Sequence, residues 1–184
     1  MPVRRLPAEW EPQSMVQFTF PHAESDWADD LAEVTSCFVR CIETVSRFQK
    51  VLVVADDRER VAKLLADLPK DRITIVACPS NDTWARDHGG ITVMQDGKPV
   101  LLDFMFNGWG LKFAANKDNL ITRTLHLWGF FHDWPREQPP MVLEGGALET
   151  DGQGTLLSTT ECLMSPNRNP HLSFAETEAA LQKY

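Results

Sequence analysis

The spacing of apolar side chains divides the first part of the chain into alternating strands and helices. Met15 to Phe20 reads as a short strand, and Pro21 to Ser25 as a turn. Leu31, Val34, Phe38, Cys41, Ile42 and Val45 then recur at intervals of three and four, the period of an amphipathic helix, which predicts one from Asp26 to Phe48. Lys50 to Ala55 is a continuous apolar run of strand length. A charged helix capped near Asp57 follows as far as Leu68, and Ile73 to Cys78 makes another strand. Strands alternating with helices in this way are an α/β pattern.

From residue 84 the sequence repeats itself. Asp87-His88-Gly89-Gly90 leads into a strand, the turn Asp96-Gly97 and the run Val100-Leu101-Leu102; Glu144-Gly145-Gly146 leads into a strand, the turn Asp151-Gly152 and Thr155-Leu156-Leu157. Asp-Gly supplies the positive φ of tight hairpins, so each turn is expected to pair two strands. Helices follow at matching intervals, Asp118 to Trp128 ended by Gly129, and Ser173 to Lys183. A return strand near Met141 to Leu143 completes a strand, hairpin, strand, helix, strand unit with a period near 55 residues. Both copies place one acid before a glycine pair, making Asp87 and Glu144 equivalent. Arranged about a pseudo-symmetry axis, equivalent acids would meet in one site; the same residues also serve as plain turn formers. The second copy stops at Tyr184 with its helix barely finished, which predicts a truncated chain, a split gene or a proteolytic half.

Composition narrows the chemistry. The 184 residues are 43% hydrophobic, enough for one domain or part of a larger one, and 18 Lys and Arg stand against 26 Asp and Glu. A formal charge of −8 argues against binding phosphate backbones and suits a small cationic substrate. The start has no apolar leader core, and no run approaches the roughly 20 apolar residues of a membrane helix, so a cytoplasmic protein is expected. Cys37, Cys41, Cys78 and Cys162 form no CxxC pair, and Cys37 and Cys41 read as two small buried side chains on one helix face. His22, His88, His126, His132 and His171 show no metal-ligand spacing, so neither metal nor cofactor is expected.

Five blocks in this order carry a family resemblance: Pro7-Ala8-Glu9-Trp10-Glu11-Pro12, Asn81-Asp82-Thr83-Trp84-Ala85-Arg86-Asp87, Phe106-Asn107-Gly108-Trp109-Gly110, Leu143-Glu144-Gly145-Gly146, and the run from Glu161 to Pro170. Together they resemble agmatine deiminases and Porphyromonas-type peptidylarginine deiminases. The resemblance implies the pentein fold, a five-bladed α/β propeller of ββαβ units around a central site. Members are about twice this long, so residues 1–184 would be the N-terminal part of one such domain, about two and a half blades, with the C-terminal half missing.

In that family a cysteine attacks the guanidinium carbon, ammonia leaves, and water hydrolyses the amidino-thioether while a histidine moves the protons. Carboxylates hold the planar cation by accepting its N–H donors side by side. Asp87 matches the family's guanidinium-binding aspartate, Glu144 the catalytic glutamate that contacts the guanidinium and helps set the histidine, and Trp84 an aromatic lining the pocket. Asn107 and Trp109 border the pocket or form an ordinary turn. Arg86 is expected to pair with Asp87, and Trp10, Trp27, Trp128 and Trp134 to serve as packing aromatics. Asn167, Arg168 and Asn169 form a polar loop without an evident role.

Two departures stand out. Agmatine deiminases usually have Gly-Pro two residues after the aspartate, where this chain has His88-Gly89-Gly90, which leaves the substrate within the family open, and no His-x-Asp or late nucleophilic cysteine occurs. The expectation is thus an agmatine deiminase-like hydrolase when full-length, with peptidylarginine deiminase or a noncatalytic guanidinium-binding module as alternatives, and no turnover by these residues alone. Its expected partners are a small guanidine and either the C-terminal half or a second copy of the chain.

Overall fold

The computed structural model describes residues 4–131 and 133–184, so His132 and the first three residues of the N-terminal segment lie outside the described residues. The chain divides into two compact units, Pro12–Ala85 and the combination of Met1–Glu11 with Arg86–Tyr184. Strand β1 (Arg4–Arg5) belongs to the larger unit although it comes first in sequence.

The smaller unit is β2 (Met15–Thr19), α1 (Leu31–Ser46), β3 (Lys50–Ala55), α2 (Arg58–Leu64) and β4 (Ile73–Ala77). Its three strands pair in parallel with β3 central, Val51 opposite Val16 on one side and Ile73 on the other. A central parallel strand is covered on both faces, which is why Lys50 to Ala55 is apolar without alternation. Phe20, Ile42, Val51, Val53, Ala55, Val61 and Leu65 form its core. Helix α2 starts where expected because the Asp57 carboxylate accepts the Arg60 amide at 2.9 Å.

Helix α1 starts later than its periodicity predicts. Residues 26–30 instead form tight turns, with Ala28 bonded back to Ser25 and Asp30 to Trp27. The Trp27 indole N–H, donating to Thr83 Oγ1 at 2.8 Å, holds that segment away from the helix axis. The expectation for Cys37 and Cys41 also fails, because both are exposed. Each precedes a core-facing residue, Phe38 or Ile42, and at about 100° per residue that one step turns the side chain off the buried stripe.

The larger unit contains the first repeat copy almost as read: α3 (Ala85–His88, its first residue belonging to the smaller unit), β5 (Ile91–Gln95), β6 (Lys98–Leu102), the single turn α4 (Gly108–Leu111), α5 (Asp118–Leu127) and β7 (Arg136–Glu137). Its sheet runs β1-β5-β6-β7, antiparallel except for the parallel pair β6–β7. Asp96 and Gly97, at φ 50° and 79°, make the two-residue turn that the Asp-Gly pair predicts. Gly129 at φ 80° closes α5, with Phe130 N–H bonded to Leu125 O. The return strand pairs earlier than expected, at Leu101↔Arg136, and continues only as the bridge Met105↔Val142. Pro139 and Pro140 lie between the two stretches and have no N–H to give a ladder.

The second copy departs further. Strands β8 (Glu149–Thr150) and β9 (Leu156–Leu157) are joined by a five-residue loop, not a two-residue turn. Asp151 Oδ1 accepts the amides of Gln153 (2.8 Å) and Thr155 (3.0 Å), so its side chain organises a wider loop. The chain then forms α6 (Thr160–Leu163) and α7 (Phe174–Lys183), the latter started by a reciprocal cap between Ser173 and Glu176. Among the described residues the strands fall into three separate sheets. The architecture is mixed α/β, and no sheet among the described residues is closed.

Candidate functional site

The larger unit gathers Asp87, Asn107, Trp109 and Glu144 by polar contacts between loops. Asp87, half-buried on α3, has both carboxylate oxygens engaged: Oδ1 accepts the Gly146 amide at 3.0 Å, and Oδ2 accepts the Trp109 indole N–H at 3.1 Å. The glycine pair after Glu144 has a steric cause here. A Cβ on Gly146 would collide with Asp87 Oδ1, and one on Gly145 with the Arg86 carbonyl. The acid of the first repeat copy thus rests on the backbone two residues beyond the acid of the second.

Trp109 reaches Asp87 from an unusual backbone. Four successive residues, Gly108, Trp109, Gly110 and Leu111, have φ of 68°, 58°, 80° and 65°. Glycine adopts this region freely, whereas Trp109 and Leu111 each cost about 1–2 kcal/mol there. The turn is closed by Leu111 N–H to Asn107 O and Lys112 N–H to Gly108 O, both 3.0 Å. The Asn107 side chain fixes it from both ends, Oδ1 accepting the Gly110 amide (3.0 Å) and Nδ2 donating to Asn167 O (2.8 Å). The Trp109 ring is held edge-on between Phe106 and Phe113, with centroids 5.0 and 5.7 Å away.

Glu144 is 3% exposed, and its partner is a residue that the sequence left without a role. Arg168 Nε donates to both carboxylate oxygens, at 2.8 and 3.0 Å. The flanking Asn169 side chain bonds the Val142 amide and carbonyl, both at 2.8 Å, standing in for a neighbouring strand and fixing the loop against the segment that leads to Glu144. Gly110 completes the fit, since a Cβ there would sit 3.2 Å from Arg168 Nη1. Nothing periodic marks Arg168. The only signal was its place in the Asn-Arg-Asn run.

Other expectations are corrected. Arg86 pairs with Glu9 at 2.6 Å and donates to the Leu148 carbonyl (3.1 Å), so it is not the partner of Asp87. Trp10 and Trp128 are largely exposed and do not pack as core. Trp84 falls in the smaller unit, exposed, with its ring tilted over Trp27 at 5.9 Å. His88 is buried beside Phe106, and burial pushes its imidazole down to about 4, so it is neutral at pH 7. Although Cys41 is exposed, partial desolvation of its sulfur, assisted by the neighbouring Cys37, pushes the thiol up, away from the thiolate form a nucleophile needs. Among the described residues no helix is long and apolar enough to cross a membrane, and no cluster of metal-ligating side chains occurs.

Residues 5–184 match the Porphyromonas-type peptidyl-arginine deiminase family. The agmatine deiminase of Stutzerimonas stutzeri is 34% identical over 97% of this chain and 50% of its own length. Among solved structures, the putative arginine deiminase from Porphyromonas gingivalis matches with a TM-score of 0.89 and 49% identity, covering 98% of this chain and 54% of that one. The substrate-bound agmatine deiminase of C. jejuni matches with a TM-score of 0.90 and 31% identity, over 98% and 53%. The chain spans about half the length of the curated relatives it matches. A match running from residue 5 to residue 184, together with a backbone that follows solved deiminases along nearly its whole length, places this chain in the Porphyromonas-type peptidyl-arginine deiminase family.

Proposed function

We propose that this chain forms the N-terminal half of a guanidine-hydrolysing enzyme, which as a whole protein converts agmatine and water to N-carbamoylputrescine and ammonia. The observation that carries the reading is the engagement of the two repeat-related acids within one unit: Asp87 on the Gly146 amide and the Trp109 indole, Glu144 on Arg168. A planar guanidinium presents N–H donors in a fixed plane, and carboxylates held in fixed orientations can accept them without paying for reorganisation. Arg168 Nε lies between the two oxygens of Glu144, which leaves the outer lone pairs to accept further donors.

In this reading Asp87 and Glu144 hold the substrate's guanidinium and Glu144 also orients the proton-transferring histidine. Trp84 packs on the cation or its aliphatic arm, and Asn107 and Trp109 border the pocket. The thiol that attacks the guanidinium carbon, and the histidine that moves protons to the departing ammonia, come from the C-terminal half. The sheets described above would be blades of a pentein propeller closed by that half. Names of the relatives support agmatine as substrate.

Peptidyl arginine is the second reading. It is favoured by the match of residues 5–184 to a family described as peptidyl-arginine deiminase. Ammonia release by the whole protein from agmatine, free arginine and a blocked arginine peptide separates them. Agmatine turnover well above the other two supports the first reading, and preference for the peptide replaces it with the second. Absence of ammonia from all three, with the protein folded, overturns both in favour of a binding module. Trp84→Ala is expected to raise KM for the preferred substrate roughly 2- to 30-fold, with a smaller effect on kcat.

A further inference from the structure

We infer that Arg168 is a positioning residue for Glu144: its guanidinium fixes the direction of the acid, and Asn107, at the start of the left-handed turn, holds the loop that carries Arg168. This rests on the reading of Glu144 as a substrate-contacting acid. The side chains of Arg168 and Glu144 are 11% and 4% exposed, so neither charge is solvated by bulk water and each depends on the other. A single Nε–H shared by both oxygens, at 2.8 and 3.0 Å, places the donor between them and so sets the direction in which the carboxylate faces.

Arg168 is itself clamped. Asn107 Nδ2 bonds the carbonyl of the preceding residue, Asn167, at 2.8 Å, and the Asn169 side chain ties the following residue to the Val142 backbone. Gly110 leaves room for Nη1, where a side chain's Cβ would stand 3.2 Å away. The same turn carries Trp109, whose indole N–H holds Asp87 Oδ2. Residues 107–110 therefore bear on both acids, Asp87 directly and Glu144 through the loop of Arg168. The positive φ of Trp109, between two glycines, is what brings its indole to Asp87.

A structural ion pair would make any loss track stability alone, whereas a positioning pair makes it track geometry. Arg168→Lys keeps the charge but not the planar guanidinium with its Nε–H, and Arg168→Gln keeps hydrogen-bonding capacity but not the charge. In the whole protein, kcat and KM for its preferred guanidine, and the Tm, are measured for both. The expected result is a kcat loss of about 100-fold or more for Arg168→Gln and of about 5- to 20-fold for Arg168→Lys, with KM changing less than kcat in each. A folded Arg168→Gln within about 2-fold of wild type overturns the inference, as does a lysine variant no better than the glutamine one.

Should Arg168→Gln fail to fold, Arg168→Lys decides alone, and an unchanged kcat refutes the positioning role. Wild-type protein silent on every guanidine would refute the proposed function instead. Crystal structures of wild type and Arg168→Lys then judge the inference without activity: a Glu144 carboxylate rotated or displaced in the variant supports it, and one superimposing on wild type overturns it.

Discussion

Each of the two units has its own kind of internal contact. In the smaller one, a parallel sheet and two helices bury Phe20, Ile42, Val51, Val53 and Val61 to within 2% of full exclusion from solvent. The larger one has an apolar cluster too, around Val93, Val100, Leu102 and Phe104. Its distinctive region, however, is a set of loops fixed by single polar contacts: indole to carboxylate, amide to carboxylate, guanidinium to carboxylate. Apolar burial is non-directional and tolerates small displacements, while a hydrogen bond to a charged group loses its value with distance and angle. Damage in the smaller unit should therefore appear as lost stability. Damage among the pins should appear as lost turnover.

The contrast is sharpest for Ile42, which is fully buried on α1. Ile42→Ala should lower unfolding free energy by about 2–5 kcal/mol in a denaturant titration, and leave kcat of the folded whole protein near wild type. A large kcat loss without destabilisation would erase the distinction between the units.

His88 comes next, because it joins a buried group to the segment bearing Asp87. Its folded value of about 4 lies below the ordinary 6.5, so its contribution to stability is complete above pH 6.5 and is lost as pH falls towards 4. The window amounts to about 3 kcal/mol, since each unit is about 1.4 kcal/mol. His88→Leu should flatten that part of the stability profile relative to wild type, measured by urea unfolding at several pH values. Equal slopes in the two proteins would mean that the imidazole gains its proton in the fold as readily as in the unfolded chain.

Trp109→Phe keeps an aromatic ring between Phe106 and Phe113 and removes the N–H that reaches Asp87 together with part of the indole's volume. Hydrogen bonds to charged groups contribute about 1.5–3 kcal/mol, so kcat/KM should fall about 10- to 100-fold with a smaller change in Tm. A Tm loss without a catalytic one would make Trp109 a packing residue. The smallest effect belongs to Asp57→Ala, which removes the cap of α2 and should cost about 1 kcal/mol, with no change in kcat.

The same contrast explains what could be read from the sequence. Strands β3 and β4 and helix α2 were legible because side-chain period follows backbone period, and Asp96-Gly97 because only a few residue pairs tolerate its φ. The family was legible from its motifs, which also marked Asp87 and Glu144 as candidates. Arg168 was not, since a contact across 24 residues between two loops leaves no periodic trace. The second hairpin was misread because Asp151 uses its side chain to widen the turn, and an Asp-Gly pair looks the same in either case. The solvent-facing cysteines of α1 were misjudged by one residue, which is about 100° of helix.

Strand β1 carries a further consequence, for the order in which the chain acquires its structure. Arg4 pairs with Gln95, 91 residues away, and with Glu137, 133 residues away, while everything from Pro12 to Ala85 lies inside that closure as a compact unit of its own. During synthesis the first strand emerges long before its partner exists. If the intervening unit folds first, it replaces a long flexible loop by a body whose two ends are fixed, and the entropy of bringing β1 to β5 shrinks accordingly. The N-terminal strand then acts as a late clasp, and the unit it encloses as a folding insert that matures before the segment bearing the acids can close.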